Sequence, residues 1–595
     1  MTRRTLSMAM ICALLAGAAM AQTGKRQPSP QREPADPLLE AMLAEMARAR
    51  RLQMPALEAP YYIEYAVEDT DSFSAQASLG GLLSARPTRT RYPRIQVRVG
   101  TYDLDNTNFI LSDYFTGSGA GLMPTDNGMR PLREYFWLAT DSAYKAAFES
   151  FSRKRAALAN FLTPDRLDDF SKATAVQKLL PVAHKPVDTS MWTARLRSLS
   201  ATFASYPRIL SSNVAMEIGQ STSYLVTSEG TVARVPDNLA YITVRATTQA
   251  DDGSMMNDAA LVQTLEADQM PPEAELRKAV VQLAENLTRL SQAPAGENYV
   301  GPVLFEGQAS AQLFAQLLGR NLALPRKPVP LPGRPVPVLE SELEGRMGSR
   351  ILPEWMEVVD DPTQTEWRGR PLLGHYDIDL EGVVPAPVKV IDMGSLTNCL
   401  LTRQPVRGFS ASNGRARLLG SFGAKTAAIS NLFVRASTTV PTADMKKKLI
   451  EMVQKRNKPY GLLIRKLDFP SAASVDELRR MSATMAQSGS FRAVSSPVLV
   501  YRVYPDGREE LVRGLRFRGV NVRSLRDIVA ASEESYLFDF INNTAPFALI
   551  GGSNFVAASA VVAPAVLFDE LELERPQEDK PTPALVPPPP LLAGR

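Results

Sequence analysis

The residues best placed to do chemistry lie in the second half of the chain. In YDIDLEGVVP, Asp377, Asp379 and Glu381 occupy alternate positions. Alternate side chains of a strand share one face, so these carboxylates, with Asp360 and Asp361 upstream, would hold a hard cation such as calcium through oxygen ligands. A solvated acidic strand edge leading into a Glu-Gly turn is the other reading. The whole chain contains two histidines, His184 and His375. Histidine is the usual zinc ligand and the usual general base, so most hydrolase mechanisms have little to draw on. His375, beside the acidic residues, reads as the start of a strand. No G-x-S-x-G elbow occurs, and TGSGAG (residues 116–121) reads as a loop. GSFGAKT (420–426) falls two residues short of a phosphate loop and reads as a glycine turn. Cys399, flanked by apolar residues in SLTNCLL, reads as a buried structural thiol.

These groups need a scaffold, and composition bounds it. The chain has 595 residues, 45% apolar and 22% charged, room for two to four domains of about 150 residues each. Residues 1–21 have the parts of a secretory signal: basic Arg3 and Arg4, an apolar stretch from Ser7 to Ala18, and the small-x-small site Ala19-Met20-Ala21. That stretch is too short to cross a bilayer, and no later apolar run approaches the roughly 20 residues of a membrane span. The expectation is an exported protein, periplasmic or extracellular, with no membrane anchor. Loss of the signal removes Cys12 and leaves Cys399 without a partner for an internal disulfide. It also lowers the formal net charge from +4 to near +2 as Arg3 and Arg4 leave. So small and scattered a charge gives no footprint for nucleic acid.

The expected fold class is α+β, in two large domains. After a polar, Pro-rich leader (22–37), an N-terminal α+β domain spans 38–295. It opens with a helix at 38–52. Strands with one wet face follow at 61–69 and 94–104, helical patterns at 132–161 and 165–180, and strands at 223–234 and 240–248. A helix opening at Pro271-Pro272 places Leu276, Ala279, Val280, Leu283, Leu287 and Leu290 on one stripe. SQAPAGENY ends it, near Ala295. A strand-rich C-terminal domain (296–575) begins with PVLFEGQASAQLFAQLLGRN, a buried strand running into a helix. An extended Pro-rich arm covers 324–337. A helix at 442–456, capped by Thr442, carries the basic run MKKKLIEMVQKR on its wet face. VLVYRVYPDGREELVRG is a hairpin around Pro505-Asp506-Gly507, and the last strand is 563–574. Residues 576–595 form a Pro-rich tail of disordered composition.

Several pieces, in order, resemble the TldD/PmbA family of metallopeptidase-related proteins. GPVLFEGQASAQLFAQLLG is similar to its strand-to-helix entry, and ILPEWMEVVDDPT to its Asp-Asp segment. YDIDLEGVVPAPVKVIDMGSLTNCLLTR is similar to its acidic Glu-Gly turn, strand and Gly-x-Leu step. SNGRAR resembles its glycine-arginine loop, and VVAPAVLFDELEL its closing strand. In active members the helix after the first strand bears H-E-x-x-x-H, two imidazoles for zinc and a glutamate for its water. Set against that motif, Ala315 and Arg320 stand at the histidines and Gln316 at the glutamate. Alanine has no lone pair, arginine stays charged, and a glutamine amide cannot act as a base. The family's C-terminal cysteine ligand has no counterpart after Cys399.

The resemblance therefore implies a catalytically inactive subunit that binds or gates peptide or unfolded polypeptide for an active zinc-dependent paralogue, as homodimer or heterodimer. It implies no zinc or other cofactor in this chain. Arg415 and Arg417, near the family's substrate groove, are either clamps for a peptide carboxylate or backbone or members of surface ion pairs. An active peptidase with a non-standard site, or a stand-alone peptide-binding protein, are the alternatives.

Overall fold

The computed structural model describes residues 36–53, 58–109, 122–159, 167–329, 340–419, 425–468, 493–542 and 557–576. The expected signal peptide, nearly all of the expected leader and tail, the 116–121 loop, residues 420–424 of the glycine turn and residues 330–337 of the arm lie outside them. Helix α1 (Pro37–Ala49) starts where Asp36 Oδ1 accepts the Leu39 N–H at 3.1 Å and Pro37 fills the first turn. Strands β1 (Pro60–Ser78) and β2 (Gly81–Val99) form one hairpin paired along its length, turned by Leu79 (φ 49°) and Gly80 (φ 83°). Both run far beyond the expected 61–69 and 94–104. Their outer halves, DTDSFSAQAS and GLLSARPTR, lack the apolar alternation that marks a strand in sequence. Cross-strand ion pairs such as Asp71 with Arg89 (2.5 Å) hold them instead.

Helix α2 (Met129–Leu158) follows. Residues 167–180, expected to be helical, contain only the short strand β3 (Gln177–Leu179). Asp169 and Phe170 there are drawn into buried contacts that a free-standing helix would not make. Helix α3 (Thr189–Ala201) leads into β4 (Ile209–Thr227) and β5 (Val232–Pro236), two strands where one was expected at 223–234. The chain reverses between them, with Gly230 at φ 110°. Strands β6 (Leu239–Gln249) and β7 (Met255–Thr264) complete a seven-stranded sheet in which β6 and β5 share one edge of β4. Helix α4 (Glu273–Gln292) buries the anticipated stripe, Ala279 only partly.

All these helices line one face of the sheet. Ile63, Tyr65 and Val67 of β1 meet α1 and α2, while Phe73, Ala75 and Ala77 meet α3 and α4. The other face carries Glu64, Ala66, Glu68 and Thr70, all buried, two of them acidic. Buried carboxylates need partners. The second domain supplies some of them.

That domain is an eleven-stranded sheet. Strand β8 (Tyr299–Phe305) enters it, followed by helices α5 (Gln308–Leu317) and α6 (Gly319–Leu322). Strand β9 (Met356–Asp360), the two-residue pair β10 (Glu366–Trp367) and β11 (Arg370–Pro371), and β12 (Val388–Asp392) with β13 (Ser395–Leu396) come next. Strands β14 (Ala416–Leu419) and β15 (Lys425–Ala427) pair separately, and β16 (Asn431–Ala436) returns to the main sheet. Helix α7 (Met445–Lys455) precedes β17 (Gly461–Leu467), and β18 (Pro497–Val503) and β19 (Glu509–Val512) form the expected hairpin, with Gly507 at φ 85°. Thr442 does not cap α7; its hydroxyl accepts the Glu534 N–H. Strands β20 (Arg516–Arg518), β21 (Ile528–Asn542) and β22 (Ala557–Glu574) finish the sheet. Strand β22 is its hub, paired with β8, β16, β20 and β21. Helix α7 packs on one face through Met445, Leu449 and Val453, against Leu304, Leu463 and Leu567. Helix α5 lies in a separate core cluster with Val303, Phe305 and Phe568. No helix among the described residues is long and apolar enough to cross a membrane.

Candidate functional site

Helix α5 follows β8 through Gly307, whose φ of 58° makes the sharp entry glycine favours. It is buried almost all round: Ala309 to Ala315 and Leu317 are buried, and only Gln308 is exposed. Its polar residues are spent inward. Ser310 Oγ donates to Pro564 O at 2.5 Å, and Gln312 Nε2 donates to Asp468 O at 2.6 Å. Gln316 Nε2 donates to Ser495 Oγ at 2.8 Å while its Oε1 accepts the Ser495 N–H at 2.9 Å. A glutamine does here what a carboxylate cannot, donating and accepting toward one residue. Ala315 is 7% exposed, its methyl part of the core. Arg320, half-buried beyond the break at Leu318, has its pKa lowered by burial, with the Glu342 charge opposing.

Zinc does not fit this set. Two of the three positions offer no lone pair, and the third is an amide already bonded on both sides. Among the described residues no three His, Cys, Asp or Glu side chains converge as a metal site.

The acidic triplet is not a strand edge. Residues 377–383 form a turn, and the three carboxylates find separate partners. Asp377 is partly exposed and pairs with Lys178 at 2.8 Å. Asp379 is buried: Oδ1 accepts the N–H of Glu381 and of Val383, both at 2.9 Å, and Oδ2 accepts the Ala416 N–H at 3.1 Å. Glu381, also buried, accepts the Arg403 N–H at 2.5 Å. Asp360 bonds Arg415 and Ser430, and Asp361 caps Thr363. Turn formation and a buried ion pair thus use the carboxylates that were candidates to hold a cation.

Arg415 and Arg417 follow the expected turn, with Gly414 at φ 75°. Arg415 is 0% exposed; its Nε donates to Asp360 Oδ1 at 2.6 Å and its Nη atoms to the carbonyls of Asn413 (2.7 Å) and Ala386 (2.7 Å). Arg417 donates to Ile429 O and Ala558 O, each at 2.7 Å, with its Cζ 4.7 Å from the Tyr376 ring centre. Both side chains hold the scaffold together. His375 Nδ1 lies 2.7 Å from Pro362 O and His184 Nδ1 3.2 Å from Asp71, in different domains. Cys399 is free and buried, its thiol pushed up to about 12 by desolvation.

The structure also assembles charged residues that the sequence left scattered. On the acidic face of β1, Glu64 meets Lys425 Nζ at 2.5 and 2.7 Å and accepts the Tyr62 hydroxyl at 2.9 Å. Its pKa is lowered: burial raises it, but the Lys425 charge and hydrogen bond outweigh burial. Arg403 forks onto Glu229 at 2.8 and 2.7 Å and donates to Ser171 O. The guanidinium carbons of Arg98 and Arg403 lie 3.7 and 4.0 Å from the Phe170 ring centre. Glu64 sat in a run read as a strand with one wet face, and Lys425 in the glycine turn. No sequence signal joins residues so far apart in the chain.

Residues 298–575 match the PmbA/TldA metallopeptidase C-terminal domain. No curated protein matches the sequence. Among solved structures, the chain is similar to TldE from Thermococcus kodakarensis, with a TM-score of 0.53 at 12% identity over 90% of this chain and 99% of that one. A candidate modulator of DNA gyrase from Thermotoga maritima aligns with a TM-score of 0.54 at 13% identity, over 90% and 99% of the two chains. One from Bacteroides thetaiotaomicron aligns with 0.51 at 10% identity, over 91% and 98%. At such identities the likeness is one of fold.

Proposed function

Through residues 298–575 the chain belongs to the PmbA/TldD family, and from that premise we propose that it is an exported, non-catalytic member that binds or gates peptide for an active zinc-dependent paralogue. The observation that carries this reading is Gln316. At the position of the general base stands an amide whose two ends are both bonded to Ser495, on a helix where Ala315 is packed into the core. Arg320 would supply a fixed positive charge in the metal's place. Export rests on the N-terminal sequence pattern, and the partner on the incomplete ligand set.

The mature chain should be purified, and zinc content and cleavage of a disordered peptide measured alone and after mixing with a co-encoded paralogue that carries H-E-x-x-x-H. The expected result is neither zinc nor cleavage alone, with cleavage appearing or rising on mixing. Stoichiometric zinc, or chelator-sensitive cleavage by the isolated chain, would overturn the proposal and favour a peptidase with a different site. Peptide binding without response to the paralogue would favour a stand-alone binding protein.

A further inference from the structure

We propose that Asp379 and Glu381 form a proton-operated latch between the two domains. The buried charges at the seam do not balance. Glu64 is matched by Lys425, with both oxygens in hydrogen-bond reach, and Glu229 by the fork of Arg403. Among the described residues no cationic side chain bonds to Asp379 or Glu381, each buried to 4% exposure. Their direct partners include only backbone N–H groups: Glu381, Val383 and Ala416 for Asp379, and Arg403 for Glu381.

The surrounding elements supply no further compensation. From β1, Glu64 faces them with Tyr62 behind it; from β3, Lys178 is taken by Asp377. Arg415 is committed to Asp360, and Arg417 to carbonyl oxygens. Lys425 and Arg403 act on Glu381 through space while bonded to other carboxylates. Two carboxyl groups close together in a dry site cannot both ionise cheaply. Burial, and secondarily the Glu381 charge, push Asp379 up to about 7, and burial raises Glu381 as well. The pair therefore titrates as a unit.

The site is mechanical as well as acidic. The Glu381 partner, Arg403, ties the C-terminal domain to Glu229 and Ser171 of the N-terminal domain. The same turn packs Ile378 against Ala66, Leu225 and Ala233. A carboxyl raised in the folded state gives stability that is complete below its ordinary value, 3.8 for Asp379, and declines as pH rises through the folded value. Once the shared proton leaves, two buried negative charges face each other, and water entry at the seam relieves them.

Backbone hydrogen exchange at Val383, Arg403 and Ala416, corrected for intrinsic rate, should be followed from about pH 5.5 to about pH 8.5 on the full mature chain. The expected result is a loss of protection of about tenfold centred near neutrality in the wild type, and its absence in Glu381→Gln. Unchanged wild-type protection across that range would overturn the latch, whatever the variant does. The same loss in Glu381→Gln, or in Asp379→Asn if the first variant fails to fold, would also overturn it.

Discussion

At the scale of the residue, Arg415 and Arg417, candidates in sequence for clamping a peptide, bond to the scaffold itself. Arg415 uses Nε and both Nη atoms, and its one acidic partner, Asp360, is 0% exposed. Breaking such a pair leaves an uncompensated buried charge. Arg415→Ala should cost about 3–5 kcal/mol in urea unfolding, and Arg415→Lys should recover little, because a single ammonium cannot reproduce the fork. An unchanged midpoint would return Arg415 to the list of binding candidates. The turn that presents these arginines was legible, since Asn413-Gly414 demands a left-handed glycine. Their orientation was not. An arginine after a turn reads the same whether it points at solvent, substrate or a buried aspartate. The acidic triplet failed for a related reason: alternation of carboxylates was read as strand period, whereas Asp379 spends its acceptors closing the turn.

At the scale of the element, the stretches with a strong apolar period were readable and the polar ones were not. Helix α4, with its leucine stripe, and β8 running into α5 stand where periodicity puts them. The outer half of the β1–β2 hairpin was invisible because ion pairs and hydroxyls hold it. The 167–180 stretch differs from its helical pattern because its charges serve tertiary partners, Asp169 with Lys154 and Lys178 with Asp377. Packing sets tighter limits than pattern where α7 crosses β17. A Cβ on Gly461 would stand 2.7 Å from Leu449 Cδ1 and 2.8 Å from Val453 Cγ2. Gly461→Ala should therefore push α7 off the sheet and cost about 1–3 kcal/mol, read as a lowered denaturation midpoint. A stabilised variant would mean that the helix yields freely there.

At the scale of the whole molecule, the buried pairs Glu64–Lys425 and Glu229–Arg403 join the two domains, so their docking answers to acid as well as base. Glu64, held below its ordinary value by Lys425, contributes stability above pH 4.5 that is lost as pH falls through its folded value. Lys425→Met strands that carboxylate and should cost about 3–5 kcal/mol at neutral pH. The deficit should shrink in acid as Glu64 protonates, measured by urea unfolding of both proteins at each pH. A deficit independent of pH would mean that the lysine matters for packing alone. The last described strand, β22, has a consequence of another kind. Among the described strands it alone joins the β13–β12–β9–β16 half of the sheet to the β8–β17–β18–β19 half, and β20 and β21 pair with no other strand of that sheet. Every partner of β22 leaves the ribosome before it does. Until β22 emerges, β8 and β16 are open edges inviting wrong pairings, and closing the sheet must join residues 299–305 to residues 566–573 across most of the domain. The sheet of the second domain thus stays open until β22 is made.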